Sequence, residues 1–278
     1  LASCLERRRL LPLYSHQARA VNSARRGGNI MVSTPSASGK TLCYNIPVLE
    51  SIINDRESRA LYLFPTKALA QDQLNSIHEI ACPHILKRFE LGTFDGDTPQ
   101  AERGDLRRRG RIILSNPDML HIGILPNHQN WMRFFRNLRF VVVDEAHVYR
   151  GVFGSHVSDV LRRLRRICEQ YGARPQFILA SATISNPKEH AERLGGLPFE
   201  VIEGDGSPHG GKEFVLWDPP LIDEAKATRL SANSEATHLF SELISHGIRT
   251  LTFARTRRLT ELIYIYTRKR LTEIDSAL

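Results

Sequence analysis

The chain has 278 residues, 41% of them hydrophobic and 24% charged, which is ordinary for a globular protein with one large core or two smaller ones. No run approaches the length of a transmembrane helix, and the start Leu1-Ala-Ser-Cys-Leu-Glu-Arg-Arg-Arg9 lacks the apolar region of a signal peptide, so a cytoplasmic protein without a membrane partner is expected. A formal net charge of +8 suits a polyanionic partner, although a solvated basic face has the same composition. The four cysteines, Cys4, Cys43, Cys82 and Cys168, contain no Cys-x-x-Cys pair; they argue against a zinc site and read as reduced, buried thiols.

In chain order, Leu11-Pro-Leu-Tyr-Ser-His-Gln17 leads into a helix over 18–26. Gln17 can offer a donor and an acceptor to a purine edge, or it can sit on the exposed side of a helix capped by Ser15. The apolar run 29–33 reads as a strand, and Leu42 to Ile53 as a helix. Further strands are expected at 59–64, 89–94, 111–115, 140–144 and 176–181. The intervening helices are expected at 66–81, from Thr98-Pro99, at Asn116-Pro-Asp-Met-Leu120, and at 155–171. Continuous apolar strands alternating with helices predict an α/β fold, a mostly parallel sheet covered on both faces. The glycine-rich stretch over 205–212 reads as a linker, so the domains are expected at 1–204 and 213–278. Beyond it the pattern restarts with strands at 213–217 and 249–253 and helices at 234–246 and 256–270, about the opening of a second α/β domain.

Two stretches carry chemistry. Thr34-Pro-Ser-Ala-Ser-Gly-Lys-Thr41 lies between the first strand and a helix. Small residues there let consecutive backbone N–H groups turn inward as an anion nest, and the helix adds its positive end. Pro35, Ser36, Ala37, Ser38 and Gly39 would then cradle phosphates, Lys40 would reach the β- and γ-phosphates, and the Thr41 hydroxyl would face Mg²⁺. Thr34 stands where such loops usually begin with glycine, and the other reading is a serine-rich turn capping an ordinary helix. Asp144-Glu-Ala-His147 ends a valine-rich strand. At the carboxyl end of a parallel strand, Asp144 can hold Mg²⁺ and Glu145 can deprotonate water, or the pair can cap a following helix. Ser181-Ala-Thr183 ends the next strand; its hydroxyls can bond across to the acidic cluster or cap the helix near Asn186-Pro187. Arg162-Arg-Leu-Arg-Arg166 reads as a solvated helix face, and Trp131, Phe134 and Phe135 as core.

The ordered set Gln17, Thr34–Thr41, Pro65-Thr-Lys-Ala-Leu-Ala70, Asn116–Leu120, Asp144–His147 and Ser181–Thr183 resembles the first RecA-like P-loop NTPase domain of a superfamily 2 DEAD/DEAH-box helicase. Arg249-Thr-Leu-Thr-Phe-Ala-Arg-Thr-Arg257 is similar to the first motif of the second such domain. The phosphate loop and Tyr149-Arg-Gly-Val-Phe-Gly-Ser-His156 resemble the Hrq/MrfA-type branch, related to RecQ-four-like DNA helicases.

The resemblance implies ATP and Mg²⁺ as cofactors, with adenine read by Gln17, triphosphate held by Gly39 and Lys40, Mg²⁺ on Thr41 and Asp144, and water activated by Glu145. His147, Ser181 and Thr183 would couple hydrolysis to movement. Thr66, Lys67, Asn116 and Asp118, on the opposite edge of the sheet, would meet the backbone of a nucleic acid, with Arg257 a further candidate. The expected activity is a DNA helicase, 3′-to-5′ by resemblance, acting on single-stranded or forked DNA. The alternatives are a duplex translocase that remodels without unwinding and a nucleic-acid-binding module without turnover. The family's late arginine motif, Gln-x-x-Gly-Arg-x-Gly-Arg, and the branch's four-cysteine region occur nowhere in the sequence, so little hydrolysis is expected from these residues alone.

Overall fold

The computed structural model describes residues 1–81, 90–208, 210–219, 221–223 and 228–275. The chain divides into two compact units, Leu1–His209 and Gly210–Leu278.

The first unit is built on a seven-stranded sheet: β1 (Ile30–Ser33), β2 (Arg59–Leu63), β3 (Leu91–Thr93), β4 (Ile112–Ser115), β5 (Leu138–Val143), β6 (Gln176–Ser181) and β7 (Glu200–Glu203). Their order across the sheet is β3-β4-β2-β5-β6-β1-β7, and every pairing is parallel. The expected strand at 89–94 is shorter than its apolar run, and Phe89 lies outside the described residues. β7, at the sheet edge, has no counterpart in the sequence reading. Exposed Glu200 and Glu203 flank Val201 and Ile202, a short charged strand of the kind that closes a sheet without inviting another.

The helices are α1 (Ala2–Arg7), α2 (Ser15–Arg25), α3 (Lys40–Asn54), α4 (Lys67–Ile80), α5 (Gln100–Arg109), α6 (Pro117–Met119), α7 (Met132–Arg136), α8 (Gly151–Gln170) and α9 (Pro187–Gly195). They cover both faces, because the side chains of each strand alternate between two apolar layers. Val32, Tyr62, Leu114, Val142 and Ile178 pack with α2, α3 and α4. Met31, Leu63, Ile113, Val143 and Leu179 pack with α8, α9 and the segment around Trp131. Trp131, Phe134 and Phe135 are buried as expected, Trp131 meeting Phe94 edge-on at 4.8 Å.

The basic stretch on α8 is not merely solvated. Arg162 donates to the Arg193 carbonyl at 3.2 Å, and Arg165 to the Gly196 carbonyl at 2.9 Å. These arginines satisfy carbonyls that the end of α9 leaves unpaired, where a cation is also favoured by the helix dipole. Cys43 and Cys168 are free and buried. Cys4 is disulfide-bonded, which corrects the expectation of reduced thiols throughout, since separation along the chain does not measure separation in space. Cys82 lies outside the described residues.

The second unit holds a short antiparallel hairpin, β8 (Leu221–Asp223) with β9 (Thr228–Arg229), and two helices, α10 (Ala232–Ser245) and α11 (Arg257–Asp275). The strands expected at 213–217 and 249–253 do not form. Among the described residues of this unit no strand runs beside either segment, so neither has a ladder to join. Phe214 and Phe253 accordingly stand 90% and 88% exposed.

Candidate active site

All seven strands point the same way, so every loop that follows a strand leaves from one end of the sheet. That end gathers the loop after β1, Asp144–His147 after β5 and Ser181–Thr183 after β6. Thr66 and Asn116, after β2 and β4, emerge there too. They share the end and occupy the half of it away from β1, toward the opposite edge of the sheet.

Between β1 and α3 the chain takes left-handed turns at Ala37 (φ 63°) and Gly39 (φ 78°). A Cβ on Gly39 would meet Gln17 Nε2 at 2.5 Å, so glycine is required twice over. Thr34 is no defect in the loop. It is fully buried, its hydroxyl bonds the Ser38 hydroxyl at 2.7 Å, and its N–H reaches the Ser181 carbonyl at 3.4 Å. The Lys40 ammonium donates to the carbonyls of Thr34 (3.0 Å) and Pro35 (2.7 Å). Burial lowers its pKa, while the carboxylates of Glu145 and Asp144 pull it up.

The acidic residues are held from the helix side. The Tyr44 hydroxyl, one turn into α3, donates to Asp144 Oδ2 at 2.8 Å. The Glu145 N–H donates to Asp144 Oδ1 at 2.8 Å, with Glu145 itself in the left-handed region at φ 50°. A non-glycine residue held there is costly, and such residues cluster at functional sites. His147 Nδ1 accepts from the Ala182 N–H at 3.3 Å and lies 3.3 Å from Glu145 Oε2. One nitrogen cannot accept from the first and donate to the second, so these contacts are alternatives. The segment Ser181–Thr183 thus meets His147 through the Ala182 amide, and among the described residues neither of its hydroxyls bonds an acid. Ser181 Oγ bonds the Ala182 carbonyl, and Thr183 is exposed.

Gln17 is buried, which overturns its alternative placement on an exposed helix side. Its amide oxygen accepts the Tyr14 N–H at 3.0 Å and its nitrogen donates to the Gly39 carbonyl at 3.0 Å. His16 beside it was not singled out by the sequence, yet it braces the same loop. Its Nε2 donates to the Ser38 carbonyl at 3.0 Å and its Nδ1 accepts the Gly206 N–H at 3.2 Å. Tyr44 was missed as well; its signal was a phenol one turn beyond Gly-Lys-Thr.

In the other half, Thr66 and Asn116 cap α4 and α6, accepting from Leu69 N–H (3.3 Å) and Met119 N–H (2.7 Å). Lys67 is paired with Asp97 at 2.7 Å, in the loop after β3. Both partners are exposed, so the pair contributes little and yields readily to a competing anion. Arg257 begins α11 in the second unit.

Among the described residues no cluster of three or more His, Cys, Asp or Glu could cage a metal. Mg²⁺ at a nucleotide needs no such cage: one carboxylate, one hydroxyl, phosphates and waters suffice, and Asp144 with Thr41 fits that set.

Burial lifts the Asp144 carboxyl above its ordinary range, against the lowering effect of the Tyr44 hydroxyl and the Glu145 N–H. A carboxyl raised in the folded state removes stability where it is ionised and none where both states are protonated. Asp144→Asn is therefore expected to raise the Tm of the nucleotide-free protein by a few degrees at neutral pH. The gain should vanish as the pH falls below the unfolded carboxyl range, about 4. Equal melting curves at neutral pH would show that the carboxylate carries no penalty.

The sequence profile of DEAD/DEAH box helicases matches residues 14–190, which include both motifs. The chain belongs to the DEAD/DEAH box helicase family. It is 48% identical over 265 residues to the uncharacterized ATP-dependent helicase YprA of Bacillus subtilis, covering 95% of this chain and 35% of that protein. It is 44% identical to the ATP-dependent helicase hrq1 of Schizosaccharomyces pombe, covering 93% of this chain and 25% of the relative. The DUF1998 helicase MrfA, crystallised with DNA and AMPPNP, superposes with a TM-score of 0.90 at 47% identity, over 97% of this chain and 37% of that one. The chain thus spans between 25% and 37% of the length of these relatives, and its first unit has their RecA-like α/β fold. No helix among the described residues is long and apolar enough to cross a membrane.

Proposed function

We propose that this chain is the nucleotide-binding part of an intracellular ATP-dependent DNA helicase that moves 3′ to 5′ and couples Mg²⁺-ATP hydrolysis to strand separation. The observation that supports it most is the shared sheet end. The phosphate loop and Asp144–Glu145 lie in one half of it, and the loops bearing Thr66, Lys67, Asn116 and Asp118 lie in the other, with β5 between. In this reading Gln17 recognises adenine, residues 35–39 with Lys40 hold the triphosphate, and Thr41 and Asp144 hold Mg²⁺. The metal neutralises charge on the phosphates. Glu145 takes the proton of the attacking water. His147, exchanging Ala182 for Glu145, carries the state of the nucleotide to the loop after β6, which with Ser181 and Thr183 forms the coupling segment.

The exposed Lys67 and the helix-capping loops beside it hold phosphodiester oxygens without reading bases, as a motor that tolerates any sequence requires. Residues 213–278 are the opening of the second RecA-like domain, with Arg257 a further candidate for nucleic-acid contact, and 205–212 form the linker. MrfA, crystallised with DNA, favours DNA as the partner.

The test is made on the complete protein. Duplexes with a 3′ tail, a 5′ tail or no tail are followed for strand separation alongside ATP turnover. The expected result is DNA-stimulated turnover, separation of the 3′-tailed duplex first, and binding that weakens steeply with salt as several phosphate counterions are released. Turnover on DNA without separation of any duplex would make the protein a translocase and end the helicase reading.

A further inference from the structure

At the other end of the sheet, where β2 and β4 begin, six guanidinium groups converge on one cavity of about 560 Å³. They belong to Arg56, Arg59, Arg108, Arg109, Arg111 and Arg133, and only Glu57 and Glu90 face them from the cavity wall. Neither the nucleotide site nor the loops proposed for DNA reach this end, since both leave from the carboxyl ends of the strands.

Two of the six are fixed and buried. Arg59 is 4% exposed and donates to the carbonyls of Arg56 (3.1 Å), Glu57 (2.9 Å) and Ser58 (3.1 Å). Arg111 is 7% exposed and donates to the carbonyls of Asp55 (2.7 Å) and Ile52. Glu57 is already taken, held by two bonds from Arg133 at 2.7 and 3.1 Å. Burial opposes the charge on Arg59 and on Arg111; Glu57 and Glu90 support both charges and Asp55 supports Arg111, while Arg133 and Arg111 add repulsion at Arg59. Asp105 pairs with Arg108 at 2.9 Å and lies 3.9 Å from Arg109. Arginine keeps its proton regardless, so the six guanidinium groups outnumber the carboxylates Asp55, Glu57, Glu90 and Asp105.

Helix capping accounts for part of this. Arg111 serves carbonyls at the end of α3, and Arg108 and Arg109 lie in the last turn of α5, where the dipole favours cations. Capping leaves two features unexplained. The Nε–H of Arg111 has no acceptor among the described residues and is itself closed off from solvent. Arg56, outside any helix, adds charge where charge is already in excess. A tetrahedral oxyanion answers the second, because guanidinium forks match phosphate oxygens in pairs and its charge relieves the repulsion.

We propose that this cavity is a phosphoryl-oxyanion site separate from the nucleotide site, with Arg59 and Arg111 as its rigid floor and Arg56, Arg108 and Arg109 closing over the ligand. The phosphoryl group is either free phosphate or a phosphodiester of a nucleic-acid strand.

The experiment uses the complete protein carrying Lys40→Ala, so that the phosphate loop does not compete. Inorganic phosphate is titrated by calorimetry and by melting temperature, with ionic strength held constant by NaCl. Saturable binding and a Tm rise beyond that in NaCl are expected. Arg56→Ser with Arg109→Ser, both exposed, should weaken binding about tenfold or more. The same pair in a Lys40 background should leave ATP affinity unchanged. Should the serine pair lower the Tm without phosphate, the lysine pair keeps the charge, loses the forks and should bind more weakly than the parent. A short single-stranded oligonucleotide that displaces phosphate identifies the phosphodiester as the ligand; failure to displace identifies free phosphate. Phosphate that acts no differently from NaCl, or binds equally after the arginines are replaced, overturns the site.

Discussion

Glu145→Gln is expected to leave ATP bound and to slow its hydrolysis by about 10²–10⁴ in the complete protein, the usual contribution of a positioned general base. The left-handed backbone at Glu145 turns the chain at the end of β5, and its N–H is fixed on Asp144 Oδ1 at 2.8 Å. Glutamine preserves the backbone, the length and that bond, so the pocket keeps its shape. It removes only the capacity to take a proton. The side chain is 34% exposed, open to water on one side and to His147 on the other. Steady-state turnover measured beside affinity for a fluorescent ATP analogue separates the two effects. Turnover close to that of the parent would move the base to another group.

Lys40→Ala is expected to weaken ATP binding by roughly a hundredfold or more, since charge-assisted bonds to phosphate are worth about 1.5–3 kcal/mol each. Stability of the ligand-free protein should hardly move. The two carbonyl bonds that Lys40 makes are set against the burial that lowers its pKa. On binding, the ammonium exchanges two neutral carbonyls for phosphate oxygens, and that exchange is what alanine cannot make. Calorimetry with ATP and a melting curve without it give both numbers. Unchanged ATP affinity would remove the phosphate-loop assignment; collapse of the fold would make Lys40 a structural residue.

Much of this site could be read before any coordinates. Gly-Lys-Thr and Asp-Glu-Ala-His each follow a run of β-branched and other apolar residues, and a strand buried on both faces must end where its polar residues begin. Parallel topology then brings the strand ends together without knowledge of any contact. The contacts that hold the site were not legible, because they join residues remote in sequence. The Tyr44–Asp144 bond and the His16 bridge from Ser38 to Gly206 depend on which helix lies over which strand end. The failures have a common cause too. An apolar run such as 249–253 records a preference for extended backbone, but a strand exists only beside another strand. Conversely Glu200–Glu203, too polar to be noticed, is a strand because β1 lies next to it.

The order of the strands also sets a schedule for biosynthesis. β1 pairs with β6 and β7, the last two strands of its unit, through Ile30 with Ile178 and Glu200. At about 5–20 residues per second, the ribosome needs roughly 10–30 s to make the chain between them. For that interval Ile30-Met-Val-Ser33 has no neighbour, and the loop it carries has no frame. The segment that binds phosphate is thus among the first made and among the last to be shaped. Such distant pairing slows folding and leaves apolar edges open to other chains. A nascent chain released before β6 would hold every residue of the phosphate loop and no strand beside β1 to frame it.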